Sequence, residues 1–183
     1  MAAAVAVAVV ALLLVLYAVA LYNRLVVLRN RVDNAWAQVD VQLRRRYDLI
    51  PNLVEAVKGY AAHERETFER VTEARARAIA AGSVGEQAQA EDMLTRALRS
   101  LFAVAENYPE LRASENFRRL QEDLSETEDK IAFARQFYND TALLYNNLRQ
   151  SFPAVLLAGA LGFGPRDYFE VADQAREPVA VRF

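Results

Sequence analysis

The sequence predicts an all-α protein in which an N-terminal transmembrane helix is continuous with a long antiparallel four-helix bundle. Residues 2–22 carry no charged side chain, and apolar positions after them recur at spacings of three and four. Glycine and proline are few and fall mostly between the periodic segments. We expect three parts: a transmembrane anchor at 1–22, a helical bundle at 23–152, and an apolar membrane-proximal segment with a C-terminal tail at 153–183.

The N-terminal run has the length of a membrane-spanning helix, since about 20 apolar residues match the ~30 Å hydrocarbon core of a bilayer. A cleaved signal peptide is the alternative, because Ala18-Val19-Ala20 has the small-x-small form of a cleavage site. However, no lysine or arginine precedes the run, and the run is longer than the usual apolar core of roughly 7–15 residues. The pattern therefore favours an uncleaved anchor.

Basic residues directly after the run predict its orientation. Arg24, Arg29 and Arg31 follow the apolar segment, and basic flanks stay on the cytoplasmic side. We therefore expect the N-terminus outside and the helical domain in the cytoplasm. Tyr17 and Tyr22 are expected at headgroup level.

The apolar periodicity continues beyond the anchor and predicts one helix from the bilayer to about Tyr47. Pro51 is expected to break it, because proline lacks the backbone donor that the next turn needs. Asp48 or Asn52 would then cap a second helix. That helix is expected to end at the Gly82–Gly85 turn, and a third to stop before Pro109.

The fourth segment has the longest regular pattern in the chain and predicts a helix of roughly 39 residues between Ser114 and Phe152. The hydroxyls on its apolar seam are expected to find backbone or cross-helix partners. The seam positions are Phe117, Leu120, Leu124, Thr127, Ile131, Ala134, Tyr138, Thr141, Tyr145, Leu148 and Phe152.

Short connections between long helices imply antiparallel neighbours. Phe152 should then lie near the level of Tyr22, and Trp36 near that of Tyr138. The apolar stretch 151–164 is too short to span a bilayer, so it either enters the membrane interface or packs as a short capping helix. The residues expected at the membrane or its interface are Tyr17, Tyr22, Phe152, Leu156, Leu157, Leu161 and Phe163.

The sequence contains few residues of the types that serve as catalytic groups or metal ligands. The chain has one histidine and no cysteine, and Thr67 stands where an H-E-x-x-H motif would need its second histidine. We expect no catalytic residue, no cofactor and no metal. His63 and Glu64, placed mid-helix by the pattern, form with Glu128 and Arg135 a candidate structural polar core.

The Arg44-Arg45-Arg46 triplet has two interpretations. It sits far from lipid along the helix, and arginines near a helix C-terminus favour the macrodipole and pair with acids on a neighbour. Polyanion binding is the less favoured alternative, because the net charge of −2 creates no field that attracts nucleic acid. No nucleic-acid partner is expected.

Short motifs occur in order along nearly the whole chain. They are Tyr22-Asn23, RRYDLIPNLV at 45–54, GYAAHE at 59–64, ENYPEL at 106–111, ARQFYN at 134–139, Tyr145-Asn146, Phe152-Pro153, Gly162-Phe163 and Phe169-Glu170. With these motifs the chain resembles the LemA family. The resemblance implies a bacterial membrane protein with an N-terminal helix and a long antiparallel bundle, hence a single-pass protein of the inner membrane. The family includes a magnetosome-associated branch, and the resemblance implies no shared catalysis or ligand.

Three functions remain open from the sequence. The leading hypothesis is a noncatalytic membrane-anchored scaffold that self-assembles or docks other membrane proteins, and so shapes or organises the membrane. Its expected partners are the lipid bilayer, further copies in a homo-oligomer, and another membrane protein. The alternative is a regulatory or adaptor subunit of a membrane protease or envelope stress system. An enzyme or small-molecule receptor would need a polar, concave pocket within the bundle.

Overall fold

The computed structural model describes residues 1–170, and every regular element in that range is a helix. The predicted all-α class is thus confirmed. The helices are α1 (Ala2–Lys58), α2 (Arg65–Ala80), α3 (Val84–Glu106), α4 (Pro109–Ala113), α5 (Glu115–Gln150) and α6 (Ala154–Ala158).

Two compact units share these helices. The first unit comprises Met1–Gln38 with Gln136–Asp167, and the second comprises Val39–Arg135 with the described residues 168–170. Helices α1 and α5 each contribute to both. The predicted boundary at residue 22, which divides lipid from water, stays a prediction. Residues 171–183 of the predicted tail lie outside the described residues.

The N-terminal part of α1 is apolar and uncovered. Its most apolar window has a mean hydropathy of 3.0, and only 6% of that window is buried. Leu12 and Leu14 are 59% and 64% exposed. A core helix of a soluble protein would bury such side chains, so this segment has the properties of a membrane anchor.

In the first unit, α1 and α5 pack as an antiparallel pair. Leu21, Leu25 and Val32 of α1 are buried, as the spacing predicted. The rings of Trp36 and Tyr138 lie 5.2 Å apart, edge to face, which confirms the predicted match in height.

In the second unit, the end of α1, then α2, α3 and the start of α5 pack in alternating directions around one apolar core. The rings of Phe102 and Phe117, near the end of α3 and the start of α5, lie 6.3 Å apart. The buried apolar residues of this core include Val39, Leu43, Ile50, Leu53, Val57, Phe68, Val71, Leu94, Leu98, Leu101, Leu124 and Ile131.

The predicted break at Pro51 is wrong, because α1 continues through it to Lys58. Proline removes the donor that would bond the carbonyl of Tyr47, four residues earlier. Arg75 of α2 supplies a substitute: its Nε donates to that carbonyl at 2.7 Å. Asp48 and Asn52 therefore cap nothing, and the chain turns instead at residues 59–64.

The other predicted ends are confirmed within a few residues. The Ser83 hydroxyl accepts a hydrogen bond from the Glu86 amide at 3.2 Å and caps α3. The Glu86 carboxylate in turn accepts from the Gly82 amide at 2.9 Å. Helix α3 stops at Glu106, before Pro109, and α5 runs for 36 residues.

Candidate functional site

The C-terminal segment, defined here as residues 153–167, is fastened to α5 by polar side chains of the seam. The Tyr145 hydroxyl donates to the carbonyl of Gly164 at 2.8 Å, and the Tyr138 hydroxyl donates to that of Asp167 at 2.8 Å. The Asn146 amide bonds both backbone groups of Arg166, at 2.8 and 3.0 Å. The extended chain thus obtains partners for its backbone from side chains.

The same segment is fastened to α1. The Arg166 guanidinium donates to the Asp33 carboxylate at 2.7 Å. The Phe163 ring lies 5.6 Å from the Tyr22 ring, with the Arg29 guanidinium 5.4 Å from its centroid. These contacts bury Phe163 to 3% exposure, so its ring faces α1, and its expected level at the membrane interface stays a prediction. The packing of Phe163 against Tyr22 and Arg29 stabilises the segment on α1.

Large apolar side chains of this segment point outward. Helix α6 buries the small Ala154 and Ala158 but leaves Leu156 68% exposed. Phe152 is 80% exposed and Leu161 48% exposed. A short packed helix, one of the two expected alternatives, is therefore present, its outward face is still apolar, and entry into the membrane interface stays a prediction. Of the other expected interface residues, Tyr17 and Tyr22 are 51% and 44% exposed, and Leu157 is half-buried.

An open groove of about 790 Å³ lies between α1 and α5 in the first unit. Its walls combine apolar side chains with arginine, asparagine and serine. Asn23 and Ser151 line the same groove, which agrees with the predicted antiparallel pairing of Tyr22 with Phe152. The lining residues are Asn23, Arg24, Val27, Leu28, Arg31, Leu144, Asn147, Leu148 and Ser151.

The second unit contains a buried polar cluster centred on Arg46, which is 3% exposed. Its guanidinium donates to the Glu91 carboxylate at 2.8 Å and to the Thr95 hydroxyl at 2.9 Å. Its Nε lies 2.9 Å from the Glu128 carboxylate. Two hydrogen bonds and the ion pair with Glu128 thus hold Arg46, although its buried Nε forms no hydrogen bond.

Tyr47 and Gln87 complete the cluster. The Tyr47 hydroxyl donates to Glu91, and the Gln87 amide donates to the Tyr47 hydroxyl at 2.8 Å and to the carbonyl of Ala78 at 3.1 Å. Burial raises the pKa of Tyr47, and its hydrogen bond to the Glu91 carboxylate raises that pKa further. The hydroxyl is therefore held in its neutral, donating form.

The expected polar core is only partly brought together. Burial raises the pKa of Glu128, although the charge of Arg46 opposes this effect. Burial lowers the pKa of Arg135, whose guanidinium lies 4.3 Å from the Phe169 ring centroid. His63 is exposed and Glu64 half-buried, and both lie in the turn before α2. The mid-helix placement of these two residues is therefore wrong, because α1 runs on to Lys58.

The arginine triplet pairs with acids. Arg44 bonds Asp40 at 2.9 Å, and Arg45 lies 3.7 Å from Glu126. Together with the buried Arg46, this agrees with the structural interpretation of the triplet, although the triplet lies within α1 and not at its C-terminus.

Glu91, Gln87 and Tyr47 were missed from the sequence, yet a signal exists. Arg46 follows the buried Leu43 by three positions, and Glu91 precedes the buried Leu94 by three. A charged residue in phase with an apolar stripe on two helices indicates a buried pair.

An open groove of about 370 Å³ lies beside Arg46. Its wall includes Leu98, Phe102 and Leu124, and Arg46 is already engaged by its three partners.

Within residues 1–170 no group of three histidine, aspartate or glutamate side chains is placed to hold a metal ion.

These features define a class: an all-helical protein whose N-terminal apolar helix fits a membrane anchor and whose conspicuous side-chain networks are structural. Within that class the chain belongs to the LemA family, whose profile matches residues 35–183.

Three relatives illustrate the similarity. Magnetosome protein MamQ 2 of Paramagnetospirillum magneticum is 26% identical over 184 residues, which cover 86% of this chain and 68% of the relative. Magnetosome protein MamQ of Magnetospirillum gryphiswaldense is 24% identical with the same coverage. Protein LemA of Metamycoplasma hominis is 26% identical over 71% of this chain and 60% of its own.

Proposed function

We propose that this protein is a noncatalytic scaffold of the bacterial inner membrane that self-assembles and organises the bilayer around it. The observation that carries the proposal is the N-terminal part of α1, whose apolar side chains are exposed on all faces of the helix. Only lipid or another apolar helix covers such a surface. The N-terminus lies outside and the helical domain in the cytoplasm, following the arginines after residue 22.

Contact with the bilayer extends beyond the anchor. The exposed Phe152, Leu156 and Leu161 belong to a segment whose Phe163 touches Tyr22, at the end of the apolar run. Apolar side chains at that level stabilise the protein by entering the interface. The segment therefore adds a second, shallow attachment to lipid.

Self-assembly is supported by a pair of aromatic side chains on α5. Phe133 is 75% exposed and Phe137 is 45% exposed, and residues four apart share one helix face. Aromatic residues are enriched at protein interfaces, where they bury large apolar areas. A second copy of the chain, with its anchor parallel to the first, can cover this face.

The scaffold is tested by extracting the full chain from membranes with a copolymer that retains lipid, then counting subunits by native mass spectrometry and imaging. We expect a defined oligomer that dissociates in the double variant Phe133→Ser/Phe137→Ser. The matched control Arg118→Ser/Glu122→Ser changes two exposed residues four apart on the same helix, about three turns from Phe133, and should keep the oligomer. Monodisperse monomers of the unaltered chain without any co-extracted partner would contradict the scaffold.

Orientation has a separate test that uses the absence of cysteine from the chain. A cysteine introduced at the exposed Ala113 should react with a membrane-impermeant maleimide only after the inner membrane is opened. A cysteine at Ala3 should react in intact spheroplasts. The reverse labelling pattern would invert the proposed topology.

A further inference from the structure

The proposed scaffold function assigns no role to the groove between α1 and α5 in the first unit, which has a distinctive composition. Its floor is apolar, formed by Val27 and Leu28 of α1 with Leu144 and Leu148 of α5. Arg24 and Arg31 lie on one wall, seven residues and thus about two helical turns apart. An apolar floor between cations is an amphipathic surface.

The two arginines of this groove are not neutralised. Neither Arg24 nor Arg31 forms an ion pair with a carboxylate within residues 1–170, and the described groove lining contains no acidic side chain. The nearby Asp33 is taken by Arg166 at 2.7 Å. Two unneutralised guanidiniums that share one groove attract a phosphate group.

The groove also has polar groups suited to ester and glycerol oxygens. Asn23, Asn147 and Ser151 lie in its lining and carry amide or hydroxyl donors. A groove of about 790 Å³ is within the size range of ligand sites, roughly 300–1,000 Å³. It accommodates a headgroup with the adjoining part of an acyl chain.

The position of the groove selects the source of the phosphate. Arg24 is the first charged residue after the apolar run and so lies at the level of the lipid headgroups. Side chains on a helix lean toward its N-terminus, which brings the guanidinium of Arg31 back toward the bilayer. Nucleic acid fits poorly, because its binding requires many phosphate contacts and here only two arginines line the groove.

We propose that this groove binds one anionic glycerophospholipid, with the headgroup phosphate held by Arg24 and Arg31 and the start of the acyl chains against Leu148, at the bilayer end of the groove. The site rests on the proposed insertion of residues 2–20 in the membrane. It adds to that insertion a preference for one class of lipid, which the exposed anchor by itself does not confer.

The test uses the full chain in nanodiscs that contain phosphatidylglycerol and phosphatidylcholine in equal amounts. The lipids that remain bound after release into mild detergent are identified by native mass spectrometry. We expect one phosphatidylglycerol per chain, retained in preference to phosphatidylcholine. In Arg24→Gln/Arg31→Gln the retention of phosphatidylglycerol should fall about thirtyfold, since each of the two basic residues near an anionic surface contributes roughly fivefold in affinity.

The matched control is Arg118→Gln/Arg119→Gln, which removes the same charge from two exposed residues of α5. It should keep phosphatidylglycerol retention within about twofold of the unaltered chain. A second variant, Leu148→Ser, leaves the charges in place and should also lose lipid, because it removes the apolar floor at the bilayer end of the groove. Circular dichroism of each variant checks that the helices remain.

The possible outcomes distinguish the lipid site from membrane insertion. Failure of the unaltered chain to enter nanodiscs would contradict membrane insertion itself. Entry with equal retention of both lipids would contradict only the lipid site, as would a control that loses as much lipid as the groove variant. Displacement of phosphatidylglycerol by millimolar inorganic phosphate would indicate a site for free phosphate and overturn the assignment to lipid.

Discussion

Arg75 donates a hydrogen bond from its Nε to the backbone carbonyl of Tyr47 at 2.7 Å, at the point where Pro51 leaves that carbonyl without its helical donor. An internal proline usually costs about 3 kcal/mol and bends or breaks a helix. Here a side chain of α2 satisfies the orphaned carbonyl, and α1 continues for two further turns. A contact between two helices thereby supplies the hydrogen-bond donor that α1 itself lacks at Pro51.

Replacement of Arg75 by methionine should destabilise the protein by about 1–3 kcal/mol, since it leaves a half-buried carbonyl without a partner. The measurement is chemical unfolding of the full chain in mild detergent, followed by circular dichroism. Arg77→Met is the control, because the exposed Arg77 bonds Glu73 of its own helix at 2.6 Å and contacts no carbonyl of α1 within residues 1–170. In the Arg75→Met background, Pro51→Ala should restore stability because it returns the missing N–H. Equal losses in both arginine variants would refute this role.

The C-terminal segment should loosen when Asn146 is replaced by alanine, since two hydrogen bonds to the backbone of Arg166 are lost. We expect the amide of Arg166 to exchange its hydrogen at least tenfold faster, because its acceptor is the removed side chain. Hydrogen exchange read by mass spectrometry over residues 162–167 reports this change. Gln150→Ala, an exposed change on the same helix, should leave exchange unaltered. Unchanged protection in Asn146→Ala would show that the remaining contacts hold the segment alone.

The Arg46 and Glu91 pair should be strongly coupled. Arg46→Leu leaves Glu91 as a buried, uncompensated charge and should cost about 3–5 kcal/mol. The double variant Arg46→Leu/Glu91→Leu should be less destabilised than Arg46→Leu alone, because the lone charge is gone. Arg44→Leu, which breaks an exposed pair with Asp40, should cost under about 1 kcal/mol. Additive losses in the double variant would argue against the coupling.

Glu128 should make stability depend on pH. Its folded pKa is raised above the ordinary value of 4.5, mainly by burial, so folding favours its protonated form. Its contribution to stability is therefore greatest below the unfolded pKa and declines as pH rises from 4.5 through the raised folded pKa. The thermal midpoint of the unaltered chain should fall relative to that of Glu128→Gln across this window. Parallel midpoints at every pH, or a relative rise, would contradict the sign.

The outward face of the C-terminal segment should lie in the membrane interface. A nitroxide label at the exposed position 156 should be more accessible to oxygen than to a water-soluble nickel complex when the full chain is in vesicles. A label at position 132, on the exposed surface of α5 in the second unit, should show the opposite ratio. Equal preference for the nickel complex at both positions would place α6 in water.

Much of the fold could be predicted because it follows from the local periodicity of apolar residues. The buried stripe on α1, the seam of α5 and the cap at Ser83 each depend on residues within a few positions of one another. Phe152 and Phe163 show the limit of this approach. Both were expected at the membrane interface, but Phe152 is 80% exposed and Phe163 is 3% exposed. Only the path of the segment over α1 and α5 distinguishes them.

The sequence by itself determined the apolar anchor, the helical class, the antiparallel order and the positions that face the core, since each follows from composition and spacing along one helix. The tertiary structure decided which polar groups meet. Arg75 and Tyr47 are 28 residues apart, and Arg46 and Glu91 are 45 apart. Their hydrogen bonds depend on which helix faces lie together, because a polar group buried by packing must find its partner among whatever the neighbouring helix presents. Because α2 packs against α1 and Arg75 bonds the carbonyl of Tyr47, Pro51 lies within a continuous helix instead of at the expected break.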